Sequence, residues 1–130
     1  MKAKYHVYSF EKLEVWKIGR GIKLELYQIT KDFPKEETFH LVSQIRRAAS
    51  SVTANIAEGS GRATAKDRAS YTNMSFSNAL ELIDHLTTAY DLDYIDEKRY
   101  TDIRRELDKL LNKLNSYYKY QIKAGKNINQ

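Results

Sequence analysis

A chain of 130 residues, 42% of them hydrophobic, can bury a core unaided, and no apolar run in it approaches the ~20 residues that a membrane-spanning helix requires. The absence of cysteine excludes a disulfide framework and a thiolate metal site; together with the charge-dotted N-terminus MKAKYHVYSFEKLEVW, which lacks the apolar stretch of a signal peptide, it points to a soluble cytoplasmic protein. Twenty-two Lys and Arg against 17 Asp and Glu leave a net charge of +5, a weak pull towards acidic partners, and ten tyrosines are many for this length.

One proline, five glycines and no sustained alternation of apolar and polar residues predict an all-α chain. The first helix is expected over about 10–32, with Ser9 as N-cap and Val15, Ile18, Ile22, Leu26, Ile29 and Phe33 recurring at steps of three and four. A second stripe at Leu13, Trp16, Leu24 and Tyr27 widens its apolar face, and Pro34 ends it. The second helix is expected over 35–59, with Phe39, Leu41, Ile45, Ala48, Val52 and Ile56 inward. Its small residues Ala48, Ala49, Ser50, Ser51, Ala54 and Ala57 would admit a neighbouring backbone. Gly59 and Gly61 are expected to supply the left-handed conformations of a helix stop.

Thr64 and Asp67 read as a variant capping box opening a third helix over 64–92, which should bury Tyr71, Met74, Leu82, Ile83, Leu86 and Tyr90. Asp96 caps a fourth over 96–123, whose seam Ile103, Leu107, Leu110, Leu114 and Tyr117 has bundle spacing. Short loops between long helices force antiparallel neighbours, so the expectation is an antiparallel up-and-down four-helix bundle. A single domain over 1–130 is expected, with short flexible segments at 1–8 and 124–130.

Such a bundle gathers residues 1–12, 58–68 and 117–130 at one end, where nine Lys or Arg (Lys2, Lys4, Lys12, Arg62, Lys66, Arg68, Lys119, Lys123 and Lys126) meet three acids, a net +6. The other end, residues 30–40 and 88–100, carries a net −3. Tyrosines interleave with the lysines in KAKYHVY and YYKYQIK, and two helix N-termini add favourable dipoles. A positive surface with aromatic platforms suits single-stranded nucleic acid. A solvated lysine fringe with tyrosines packed on neighbouring helices or subunits explains the same residues.

Other chemistry finds less footing. Glu37-Thr38-Phe39-His40 is one Glu-x-x-His unit, whereas a di-iron bundle needs two such units and two more glutamates. His85 stands at the wrong spacing from Glu81, and His6 lies in an expected flexible segment, so no metal is predicted. Ser50 and Ser51 are explained by helix packing rather than as nucleophiles. EGSGR at 58–62 lacks the strand and the Gly-Lys-Ser/Thr ending of a nucleotide cradle. Asn55 and Glu58 share a helix face that Arg62 can reach, which predicts a structural polar clasp closing the turn, with ligand contact by Arg62 as the other reading.

The residues Phe10-x-x-Leu13-x-Val15-Trp16, Tyr27, Phe33-Pro34-x-x-Glu37, Leu41-x-x-Gln44-Ile45-Arg46-Arg47-Ala48-Ala49 and Ser51-Val52-x-x-Asn55-Ile56-Ala57-Glu58-Gly59-x-Gly61-Arg62 resemble the signature of the four-helix-bundle proteins encoded by intervening sequences of bacterial 23S ribosomal RNA genes. The resemblance covers most of the chain through Leu92, and the fourth helix matches in pattern only. It implies a four-helix bundle assembling as a ring, a homopentamer, with distant similarity to the accessory proteins of diversity-generating retroelements, basic pentamers that bind nucleic acid and a reverse transcriptase. Two positions depart from it: Ser77-Asn78 stand where the family usually has Gly-Ser, and His40 where it often has glycine. Larger side chains at a close contact set helices or subunits slightly further apart.

Arg46 and Arg47 lie mid-helix about 100° apart, so one of them is expected to reach a subunit interface or pore. The reading that results is a non-enzymatic, cofactor-free homo-oligomer that binds RNA or DNA through Lys2, Lys4, Arg46, Arg47, Arg62, Lys66, Arg68, Tyr118, Lys119 and Lys123. The alternative is a scaffold for an unidentified protein partner.

Overall fold

Four α-helices make up most of residues 4–128, the span that the computed structural model describes, with side chains described to residue 125. They are α1 (Glu14–Thr30), α2 (Leu41–Ser60), α3 (Ala65–Asp91) and α4 (Glu97–Ile128). Each packs on the next and α4 returns to α1, while the backbones of the diagonal pairs α1/α3 and α2/α4 stay apart across the shared core. This is the antiparallel four-helix bundle that the short connections dictate.

The core forms where helical spacing stacks apolar side chains inward. Val15, Ile22, Leu26, Ile29 and Phe33 are buried along the first stripe, and Ile103, Leu107, Leu110 and Leu114 have no exposed surface at all. Sequestering each such side chain stabilises the fold by about 1.5–3 kcal/mol. Ser75, equally buried, donates its hydroxyl to the carbonyl oxygen of Val52 at 2.9 Å, a tie from α3 directly to the α2 backbone.

Several boundaries differ from the expectation. Ser9 does not cap the first helix; it opens a 3-10 turn (Ser9–Lys12), and extended Leu13 (φ −69°, ψ 132°) precedes α1. After Pro34 comes a second 3-10 turn (Lys35–Glu37) before α2 begins at Leu41. Phe39, expected inward, therefore sits in a connection and is 87% exposed. Leu24, Tyr27 and Met74, expected on apolar faces, are also exposed; Tyr27 sets its hydroxyl 3.4 Å from Ser50 Oγ, and Ser75 rather than Met74 faces α2.

Thr64 and Asp96 act as N-caps: the Asp67 N–H donates to Thr64 Oγ1 at 3.1 Å and the Arg99 N–H to Asp96 Oδ1 at 2.8 Å, but the return bond of a capping box is not made, the Asp67 carboxylate facing Arg62 instead. The glycines act differently from the expectation. No glycine among the described residues has positive φ; Gly61 ends α2 at φ −93°, and the left-handed residue is Asp93 (φ 61°) between α3 and α4. Gly59 is buried inside α2 because a methyl group there would come within 2.7 Å of Tyr71 Cβ. Gly125 similarly meets Ala65, where a methyl group would lie 2.8 Å from Ala65 Cβ, and α4 runs past the expected frayed tail to Ile128. No helix among the described residues is long and apolar enough to cross a membrane.

Candidate nucleic-acid interface

The turn between α2 and α3 is the hinge of the basic end, and its own residues hold it closed. Arg68 donates from Nη1 to the carbonyl oxygens of Arg62 (2.8 Å) and Ala63 (3.3 Å), satisfying two backbone acceptors of the connection that follows α2. Thr72 Oγ1 donates to Gln121 Oε1 at 2.7 Å, a buried bond fastening the last turns of α4 to the start of α3. Next to it, burial pushes the Tyr117 hydroxyl up from its ordinary value, against the opposing pull of its bond with Gln121 and of the Arg68 charge.

The expected clasp of Asn55, Glu58 and Arg62 does not form. Arg62 points along α3 instead, with its guanidinium 3.8 Å from the Asp67 carboxylate and 5.3 Å above the ring of Tyr71. The aromatic face and the nearer acid offer it a cation–π contact and an ion pair together, which Glu58 across the turn cannot match. Arg62 and Asp67 both remain about half exposed, so the pair is weak.

Around this turn, Lys4, Lys12, Lys66, Lys119 and Lys123 are exposed, and no carboxylate among the described residues forms an ion pair with any of them. Lys119 and Lys123 stand one helical turn apart on α4 and so share its outer face. Tyrosines accompany them: Tyr118 is 37% exposed, Tyr120 68%, Tyr5 75% and Tyr8 60%, with the His6 ring edge-on to Tyr8 at 4.7 Å. Lys2 lies outside the described residues. The charge at this end belongs to side chains rather than helix dipoles, because the C-termini of α2 and α4 end beside the N-termini of α1 and α3.

Arg46 and Arg47 do not join this end. Arg46 stacks over Tyr27 at 4.7 Å and donates to Thr30 Oγ1 (3.0 Å) and the Tyr27 carbonyl (3.2 Å), closing the last turn of α1. Arg47 is held by Gln44 Oε1 and by Glu81, which also lies 2.9 Å from His85 Nε2. Burial raises the Glu81 carboxyl, but its bonds with His85 and Arg47 outweigh that and leave it below the ordinary carboxylate value. Both arginines thus find partners within their own chain, and the Arg47 side chain remains half exposed.

Tyr120, Tyr5 and Tyr8 were not singled out as site residues, although the Lys-Tyr interleaving carries them and each is more exposed than Tyr118. Glu37, part of the lone Glu-x-x-His unit, accepts a hydrogen bond from Tyr94 at 2.9 Å. Among the described residues no three His, Asp or Glu side chains gather to hold a metal ion.

A sequence model for the 23S rRNA-intervening sequence proteins matches residues 11–116. A crystal structure of a protein of unknown function from the S23 ribosomal protein family of Bacteroides thetaiotaomicron VPI-5482 superposes with a TM-score of 0.75 at 23% identity, over 81% of this chain and 98% of that one. At that identity the likeness speaks for the fold. No protein with a curated description matches the sequence.

Proposed function

The chain belongs to the 23S rRNA-intervening sequence protein family, and from that premise we propose that it is a non-enzymatic cytoplasmic homo-oligomer, a pentamer on the family resemblance, that binds RNA or DNA through the basic, tyrosine-rich end of its bundle. The observation that carries this reading is the gathering of Lys4, Lys12, Lys66, Lys119 and Lys123, exposed and without ion-pair partners, beside exposed tyrosines at one end. Lys4, Lys119 and Lys123 lie outside the matched residues 11–116, so the reading rests on their placement here and not on membership.

Binding would proceed by neutralising phosphates. Each phosphate engaged releases counterions, giving an affinity that falls as salt rises with a logarithmic slope of about −0.7 per phosphate on a single strand. Tyr118 and Tyr120 offer faces on which bases stack, each worth about 1–3 kcal/mol and nearly indifferent to sequence. Oligomerisation would multiply these weak contacts along one strand.

Exposed Phe39 and Leu92 at the opposite end favour a second reading, a scaffold that docks a protein through its apolar side chains. Reversing Lys119→Glu and Lys123→Glu separates the two. Nucleic-acid binding predicts loss of affinity for a single-stranded RNA and a salt slope shallower by about 0.7 for each lysine–phosphate contact removed. An RNA affinity and slope unchanged by both substitutions would contradict it.

A further inference from the structure

We infer that a second copy of this chain docks head to tail, the outward face of α1 on one copy lying against the outer edge of α3 on the next. The inference rests on the homo-oligomeric reading above and adds which faces meet. Because α1 and α3 occupy opposite corners of the bundle, their outward faces look in opposite directions. Each carries a leucine that its own chain leaves in water: Leu24 is 54% exposed and Leu80 48%.

The two leucines lie at one height. Gly19 and Ser75 meet the same residue of α2: a methyl group at Gly19 would lie 3.2 Å from Val52 Cγ1, and Ser75 bonds the Val52 carbonyl. The two helices run in the same direction with the same rise, so five residues further along each comes Leu24 on α1 and Leu80 on α3.

The flanking charges are opposite and level as well. Lys17 and Lys31 stand seven residues either side of Leu24, on one line of α1, with Arg20 beside them. Along the same edge of α3 stand exposed Asp84 and Asp91, between whose heights Lys31 falls. Arg20 is level with Phe76, and Phe76 lines a groove of about 310 Å³ with Asp108 and Leu111 of α4. One copy thus offers a leucine set among cations, and the next offers a leucine flanked by Asp84 and Asp91, beside a mostly polar groove in which Phe76 and Leu111 meet Asp108, Asn112 and Asn115.

Contact between two different faces, with copies pointing the same way, is heterologous and closes into a ring if the rotation per step permits. A mixing experiment reads this directly. Leu24→Glu spoils only the first face and Leu80→Glu only the second, and both sites are half exposed, so unchanged helical circular dichroism should confirm folding. Light scattering should give a multimer for the natural chain, a 15.2 kDa monomer for each variant alone, and a dimer for their equimolar mixture, in which one intact pair of faces survives. As a second test, Asp84→Lys should weaken assembly and Lys31→Glu in the same chain should restore it. Variants that keep the multimeric mass, or a mixture that stays monomeric, would overturn the placement while leaving oligomerisation standing; a monomeric natural chain would overturn the oligomeric reading itself.

Discussion

At Gly59 a single hydrogen in place of a side chain sets how closely α2 and α3 approach, because the Tyr71 Cβ occupies the space a methyl group would take. Gly59→Ala should therefore destabilise the fold by about 1–3 kcal/mol, the ordinary cost of overpacking, even though alanine is the better helix former. Urea denaturation measures it, and a neutral or stabilising result would show that α2 can move aside. Glu81 makes a second prediction at this scale. Its carboxyl titrates below the ordinary value of 4.5 in the fold, so its contribution to stability is present above that pH and is lost as pH falls through the folded value. Replacing it, as Glu81→Gln, should flatten the acid limb of the stability profile below about pH 4.5, and a profile that keeps its steepness would assign the acid sensitivity to other carboxylates.

Among the helices, α4 shows most clearly what the sequence can reveal. Ile103, Leu107, Leu110 and Leu114 repeat at four, three and four, and each is fully buried, since a seam of that spacing has one way to face a bundle. Leu110→Ala should cost about 2–5 kcal/mol, whereas Leu92→Ala, half exposed at the end of α3, should stay within about 0.5 kcal/mol. Equal losses at both would mean that Leu92 is covered in solution. The caps Thr64 and Asp96 were legible because a short polar side chain ahead of an amphipathic run has a local purpose. Phe39, Gly59 and Arg62 were not, for a common reason. Their settings depend on partners distant in sequence or on where a helix actually begins: Tyr71 fills the space beside Gly59 and stacks under Arg62, while the 3-10 turn at Lys35–Glu37 leaves Phe39 outside α2.

For the whole molecule, topology converts scattered lysines into a field. Lys4 and Lys123 are far apart in sequence, and only the up-and-down path brings the first turn, the α2–α3 connection and the end of α4 together. That convergence was readable from chain order alone; the withdrawal of Arg46 and Arg47 into contacts with Tyr27, Thr30 and Glu81 was not, because it needed the α1–α2 and α2–α3 packing. Tyr120→Ala should weaken single-stranded binding by about 1–3 kcal/mol if a base stacks there, with the salt slope unchanged because no phosphate contact is lost. A drop in slope instead would indicate that the substitution disturbed Lys119 or Lys123.

The most direct test is the affinity of the natural chain for a single-stranded RNA at 50 mM and 200 mM salt, with light scattering on the same sample to give its mass. The account predicts a multimer whose affinity falls steeply across that interval, by a factor of about ten or more if several phosphates are engaged. A multimer that binds no RNA, or binds it equally at both salt concentrations, would contradict a nucleic-acid interface built from the free lysines of the basic end.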